Sequence, residues 1–235
     1  METTLNGTRA SAAVGDAGWR YLLGGLRTAV TVASMAQAAD VAALAVAACG
    51  HDADRHLAVD IRAGRVLLTL QSTEHAAVTT LDVALAHRVS SAVGGLGLRT
   101  GPEIATEAPR SLQLLEIAID ALDIAAIRPF WKAVLGYADE PGPDGTSAGL
   151  PGAALVDPVR QGPAVWFQRM DAPRPQRNRV HFDVCVPHDE AARRIDAALA
   201  AGGRLLSEDR APAFWVLADA EGNEACVTTW QGRDD

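Results

Sequence analysis

Lysine is almost missing from this sequence: Lys132 is the only one, and the formal net charge is −8. A partner with a phosphate backbone needs concentrated Lys and Arg, so nucleic acid is not an expected partner. Aromatic residues make up 5% of the chain, and much of the 49% hydrophobic content is alanine. Thin, closely packed helices are therefore expected, anchored by Trp19, Trp131, Trp166, Trp215 and Trp230. Cys49, Cys185 and Cys226 are odd in number and have no CxxC spacing. A disulfide framework and a structural zinc site are thus not expected, and reduced thiols in a cytoplasm are. The longest apolar runs, such as residues 41–49, fall far short of the ~20 residues a membrane span requires. Residues 1–16 are polar and lack an apolar core behind a basic start, so they read as a disordered tail and not as a secretory signal.

What the sequence does contain falls into two domains, 17–98 and 112–231, joined by a linker at 99–111. The linker reading rests on a polar stretch, 100–110, with two prolines and no periodicity. In the first domain, apolar residues at helical spacings over 19–50 predict a buried helix. Two strand-like runs, 56–61 and 65–71, flank the turn Arg62-Ala63-Gly64 and predict a hairpin. A second helix is expected from Thr79-Thr80 to about Val93, with Asp82 in its first turn, where a carboxylate suits the helix dipole. The predicted order is α-β-β-α. In the second domain a strand at 112–120, a helix at 124–135 and three short strands are followed by the same series again: a strand at 179–186, a helix at 190–201 and three strands. This is a duplicated βαβββ pattern, with glycine closing both helices at Leu135-Gly136 and Gly202-Gly203. The fold class is α+β.

Four segments of the second domain carry a family likeness: Phe130-Trp131-Lys132-Ala133-Val134-Leu135-Gly136-Tyr137, Trp166-Phe167-Gln168-Arg169, Asn178-Arg179-Val180-His181-Phe182-Asp183-Val184, and Asp219-Ala220-Glu221-Gly222-Asn223-Glu224-Ala225-Cys226. Together they resemble the glyoxalase-like branch of the vicinal oxygen chelate superfamily. The resemblance implies two βαβββ modules curled into a cup around a small molecule. It also implies metal-ligand positions that fall here on Leu114, Gln168, His181 and Cys226. Leucine cannot ligate and a glutamine amide is a weak donor, so no cofactor is expected, with a divalent metal the less favoured alternative. Strand alternation puts Arg179, His181 and Asp183 on one face, and Glu116 and Asp120 on the face of Leu114. Side by side, these strands would line the cup with an anion clamp (Arg179), a proton shuttle (His181) and carboxylate bases (Glu116, Asp183). Asp120, Trp166, Gln168, Trp215 and Cys226 are the expected ligand contacts. The same residues also suit an internal ion pair of Arg179 with Asp183 or Asp120, and the two readings stay open.

The first domain resembles the pterin-4a-carbinolamine dehydratases through Trp19-Arg20-Tyr21-Leu22-Leu23-Gly24, Val59-Asp60-Ile61-Arg62-Ala63-Gly64-Arg65-Val66 and Thr79-Thr80-Leu81-Asp82-Val83-Ala84-Leu85-Ala86. The His-His-Pro-acid motif of that family aligns with Arg55-His56-Leu57-Ala58, and its later histidine with Thr73. Only His56 is kept, so the pterin site, Arg55, His56, Thr73 and Asp82, is expected to be degenerate and the domain an assembly or lid element, a role compatible with a homodimer. The expected function is binding and transformation of a small polar or carbonyl-bearing metabolite by metal-independent acid/base chemistry of the isomerase or lyase type. Two alternatives stand beside it: a non-catalytic protein that sequesters a natural product of secondary metabolism, and a surviving 4a-hydroxytetrahydrobiopterin dehydratase.

Overall fold

The computed structural model describes residues 2–104, 110–141, 153–173, 176 and 180–232. The chain divides into two compact units, the first Met1–Leu114 and the second holding Leu115–Glu140 and Ser147–Asp235.

The first unit runs α1 (Gly7–Val14), β1 (Arg20–Leu22), β2 (Gly25–Thr31), α2 (Met35–Cys49), a 3₁₀ turn (Gly50–Asp52), α3 (Ala53–His56), β3 (Leu57–Arg62), β4 (Arg65–Leu70), α4 (Thr80–Gly95), β5 (Thr100–Gly101), β6 (Glu103–Ile104) and β7 (Arg110–Ser111). Its sheet has the order β1-β2-β4-β3, with β5 also on β2, while β6 and β7 pair with each other. Strand β4 buries Val66, Leu68 and Leu70 against the helices by simple alternation. Helix α4 starts where the sequence reading put it, because Thr79 and Asp82 form a capping box that satisfies the free N–H groups of the first turn.

Three expectations for this unit are corrected. Residues 1–16 are not a disordered tail: Asn6 caps α1, Ala10 and Val14 are buried, and the Leu5 N–H donates to the Val78 carbonyl. Residues 19–34 are not helical. They form the β1–β2 hairpin, whose turn places Leu23 and Gly24 at φ of 44° and 74°, so the α-β-β-α series (α2, β3, β4, α4) is preceded by α1, β1 and β2. Residues 100–101 are not linker, since β5 pairs with β2. Gly18 at that junction has φ of 78°, and a Cβ there would collide with the Thr100 carbonyl.

The second unit runs β8 (Glu116–Ala121), α5 (Ile124–Leu135), β9 (Ala138–Asp139), β10 (Leu155–Val156), β11 (Ala164–Arg169), β12 (Phe182–Cys185), α6 (Ala191–Ala200), β13 (Arg204–Ser207), β14 (Phe214–Ala218) and β15 (Glu224–Thr228). Two four-stranded sheets result, β8-β11-β10-β9 and β12-β15-β14-β13. In each, the first strand lies parallel to the last. Both sheets and both helices contribute to one core that holds Trp131, Phe130, Phe167, Ile195, Leu217 and Val227. Asp219, fully buried, accepts from the Trp131 Nε1–H at 2.9 Å and from the Glu221 and Asn223 amides, and so pins the turn before β15 to α5. Gly136 closes α5 in the left-handed region, φ 70°, as its position after Leu135 predicted.

Candidate functional site

Alternation along β8, β11, β12 and β15 gives each sheet one face toward the helices and one face free of them. On the first sheet the helix-facing side chains are Ile119, Val165 and Phe167. The opposite face carries Glu116, Ala118 and Asp120 on β8, and the register sets Ala118 beside Trp166 and Asp120 beside Gln168. On the second sheet Phe182, Trp215, Leu217 and Val227 join the core, while Asp183 stands beside Cys226, and Cys185 beside Thr228.

Among the described residues strands β8 and β12 do not pair: β8 bonds to β11 and β12 to β15. The expected side-by-side arrangement is therefore corrected. Both strands border an apolar cavity of about 250 Å³ lined by Ile117, Ile119, Val165, Phe182 and Val184. Tyr137 borders it too, and burial, with the Asp157 charge adding to it, pushes that phenol above its ordinary range.

The polar residues expected in one cup consequently line two cavities. Glu116 and Asp120 border a space of about 790 Å³ together with Glu221, Asn223 and Glu224. His181 and Asp183 border another, about 720 Å³, with Arg210, Phe214 and Thr228. Within the second, His181 Nε2 lies 3.5 Å from Asp183 Oδ1, and the imidazole is 52% exposed. Cys226, at 7% exposure, packs close behind, and one donor atom from each of His181, Asp183 and Cys226 falls within 4.8 Å of the others. Arg179 lies outside the described residues. Trp166 stands on the free face of the first sheet at 38% exposure. Trp215 does not line a cup: β14 turns it toward the helices, where it packs on the core.

The metal positions implied by the resemblance do not fit a cation as a set. Leu114 offers no donor, and among the described residues no His, Cys, Asp or Glu of the first sheet joins His181, Asp183 and Cys226. Arg210 escaped the sequence reading because nothing marks it there. It sits in a short polar turn between two strands, with no periodicity to aim its side chain.

In the first unit, His56 is turned inward. Its side chain is 5% exposed, and its Nδ1–H donates to Asp82 Oδ1 at 2.8 Å. Arg55 is exposed and pairs with Glu74, and Thr73 is exposed. Arg55 and Thr73 meet only through the backbone, the Thr73 amide donating to the Arg55 carbonyl.

Residues 116–228 match the family model described as a glyoxalase-like domain. Among solved structures, a glyoxalase/bleomycin resistance protein/dioxygenase family enzyme from Burkholderia phytofirmans PsJN is 17% identical, with half of this chain (50%) and 98% of that chain covered and a TM-score of 0.37. The fosfomycin resistance protein FosX from Mesorhizobium loti is 10% identical, with 49% and 90% covered and a TM-score of 0.38. A transcriptional coactivator/pterin dehydratase from Brucella melitensis is 19% identical, with 38% and 98% covered and a TM-score of 0.35. No curated protein matches the chain. No helix among the described residues is long and apolar enough to cross a membrane.

Proposed function

We propose that the second unit, read as a pair of βαβββ modules, binds a small polar, carbonyl-bearing metabolite beside His181 and Asp183 and moves a proton on it without a resident metal, as an isomerase or lyase does. The observation that carries this reading is the pairing of an accessible imidazole with a carboxylate 3.5 Å away, both on the wall of a cavity of about 720 Å³. An imidazole so placed can take a proton from the carbon next to a carbonyl, leaving the electron pair in an enolate, and return it elsewhere. The adjacent carboxylate orients the ring and steadies its charged form. Glu116 borders a different cavity, so Asp183 is the base partner of His181 in this scheme.

The first unit is read as a pterin dehydratase-like element that no longer catalyses and serves assembly, with a homodimer as the expected form and the cytoplasm as the expected location. Burial of His56 against Asp82 supports that reading, because a ring held inside the unit cannot reach a substrate.

The test is hydrogen–deuterium exchange beside the carbonyl of a panel of small 2-oxo and 4-oxo acids, followed by NMR with the full chain. His181→Ala and Asp183→Asn should each slow the exchange, His181→Ala by about 100-fold. Exchange that neither variant alters overturns the reading. So does stoichiometric zinc, manganese or iron in protein purified without chelator, if removing it abolishes exchange.

A further inference from the structure

The cavity that holds His181 and Asp183 has a second end. It extends over the free face of the second sheet, past Thr228 and Phe214, to the turn before β14, where Arg210 and Ala213 close it. The guanidinium of Arg210 has no hydrogen bond or ion pair among the described residues, although this chain carries an excess of acidic groups. Among the described residues, then, the five donors of this arginine at the cavity's edge are left for a ligand.

The turn that carries it is nonetheless fixed. The Arg210 carbonyl accepts from the Ala213 and Phe214 amides at 2.8 and 3.2 Å. Thr229 ties the same turn to the end of β15: its hydroxyl donates to the Pro212 carbonyl at 2.6 Å and its amide to that of Ala213 at 2.9 Å. The base of the side chain is thus held in place before any ligand arrives, which lowers the ordering cost of binding.

The strand register sets the distance between the two ends. Asp183 lies opposite Cys226 and Phe214 opposite Thr228, with β15 between β12 and β14. Two strand spacings across and two residues along give roughly 12 Å between the backbones at Asp183 and Phe214. The long arginine side chain and the shorter His and Asp reach into that span from opposite ends, which leaves room for a short carbon chain.

Charge also separates this cavity from the other large one. Among the described residues, the space beside Glu116 is lined by four carboxylates, Glu116, Asp120, Glu221 and Glu224, and by no basic side chain. An anionic group is repelled there and attracted at Arg210.

We propose that Arg210 is the anchor for an oxyanion, a carboxylate or a phosphonate, so that the metabolite bound beside His181 and Asp183 is a small acid whose anionic group lies a few bonds from its reacting carbonyl. The substrate class rests on the function proposed above, whereas the anchoring role of Arg210 does not. Arginine suits the task because its planar fork can engage two oxygens at once, which a lysine cannot reproduce.

Levulinate, a 4-oxo carboxylate, and its uncharged methyl ester serve as probes, titrated into the full chain and followed by NMR and calorimetry. Levulinate should bind the parent protein more tightly than the ester by about tenfold or more. Arg210→Gln should remove that preference, Arg210→Lys should restore part of it, and the ester should bind all three proteins alike. Retained secondary structure and melting temperature in Arg210→Gln exclude misfolding as the cause, because the residue is exposed. Equal binding of acid and ester to the parent protein, or unchanged levulinate affinity in Arg210→Gln, overturns the proposal. If His181→Ala leaves proton exchange intact while Arg210→Gln loses the acid, the catalytic reading falls and the anion anchor stands.

Discussion

Asp82 accepts from the amide of Thr79 at 2.7 Å, from its hydroxyl at 2.8 Å and from His56 Nδ1 at 2.8 Å, with Asp82 and Thr79 fully buried and His56 nearly so. One carboxylate therefore starts α4 and holds the only histidine kept from the pterin motif. Replacing it with alanine removes the cap and leaves a buried imidazole with Glu2, 3.5 Å from its Nε2, in place of the closer Asp82, at a cost of about 3 kcal/mol. The urea midpoint of the first unit's transition should fall accordingly in Asp82→Ala. The sequence placed Asp82 in the first turn of a helix from the Thr79-Thr80 signal alone. It could not show the contact with His56, because the two residues come from separate elements whose packing brings them together. His181 and Asp183 are a different case. Two positions apart in a segment that reads as a strand, they share a face by alternation, and that much was legible, although β12 itself begins at Phe182.

Helix α5 is tied to the strand that follows it by charge. Asp139 on β9 lies 2.7 Å from Lys132 and 2.7 Å from the buried Arg128, both on the helix. The hydrogen bond from Lys132 outweighs burial, with Arg128 adding to it, and holds the Asp139 carboxyl below its ordinary range. A carboxyl lowered in the folded state contributes stability that is complete above its unfolded value, about 3.9, and is lost as the pH falls through the folded one. Asp139→Asn should therefore be less stable than the parent protein at pH 7, and the gap should close as the pH falls through the lowered folded value of the Asp139 carboxyl. Urea midpoints of the two proteins across that range measure it. At this scale the helices α4, α5 and α6 and the β3–β4 hairpin were readable, since each has a cap, a turn or a clear period. The β1–β2 hairpin was not. Its turn, Leu22-Leu23-Gly24-Gly25, is embedded in an apolar stretch that continues into α2, and local composition does not separate the two.

Each unit has a hydrophobic core of its own, one around Trp19, Leu68 and Leu85 and the other around Trp131, Phe167 and Leu217. Two unfolding transitions should follow, and point changes should address them separately. Asp219→Ala removes four hydrogen bonds from the turn before β15, those to Trp131 Nε1, the Glu221 and Asn223 amides and Asn223 Nδ2. It should lower the second transition and leave the first in place, while Asp82→Ala does the reverse; calorimetry of the two variants checks both. The amino-acid order by itself determined what depends on neighbours along the chain: the helix caps and the alternation of faces on each strand. Which strands lie side by side was decided only in three dimensions, because pairing joins segments distant in sequence and is selected by how both faces of a sheet pack. For that reason β8 and β12 line a shared apolar cavity without bonding, the expected cup residues separate into two cavities, and Arg210, silent in the sequence, stands at the far end of the one that holds His181.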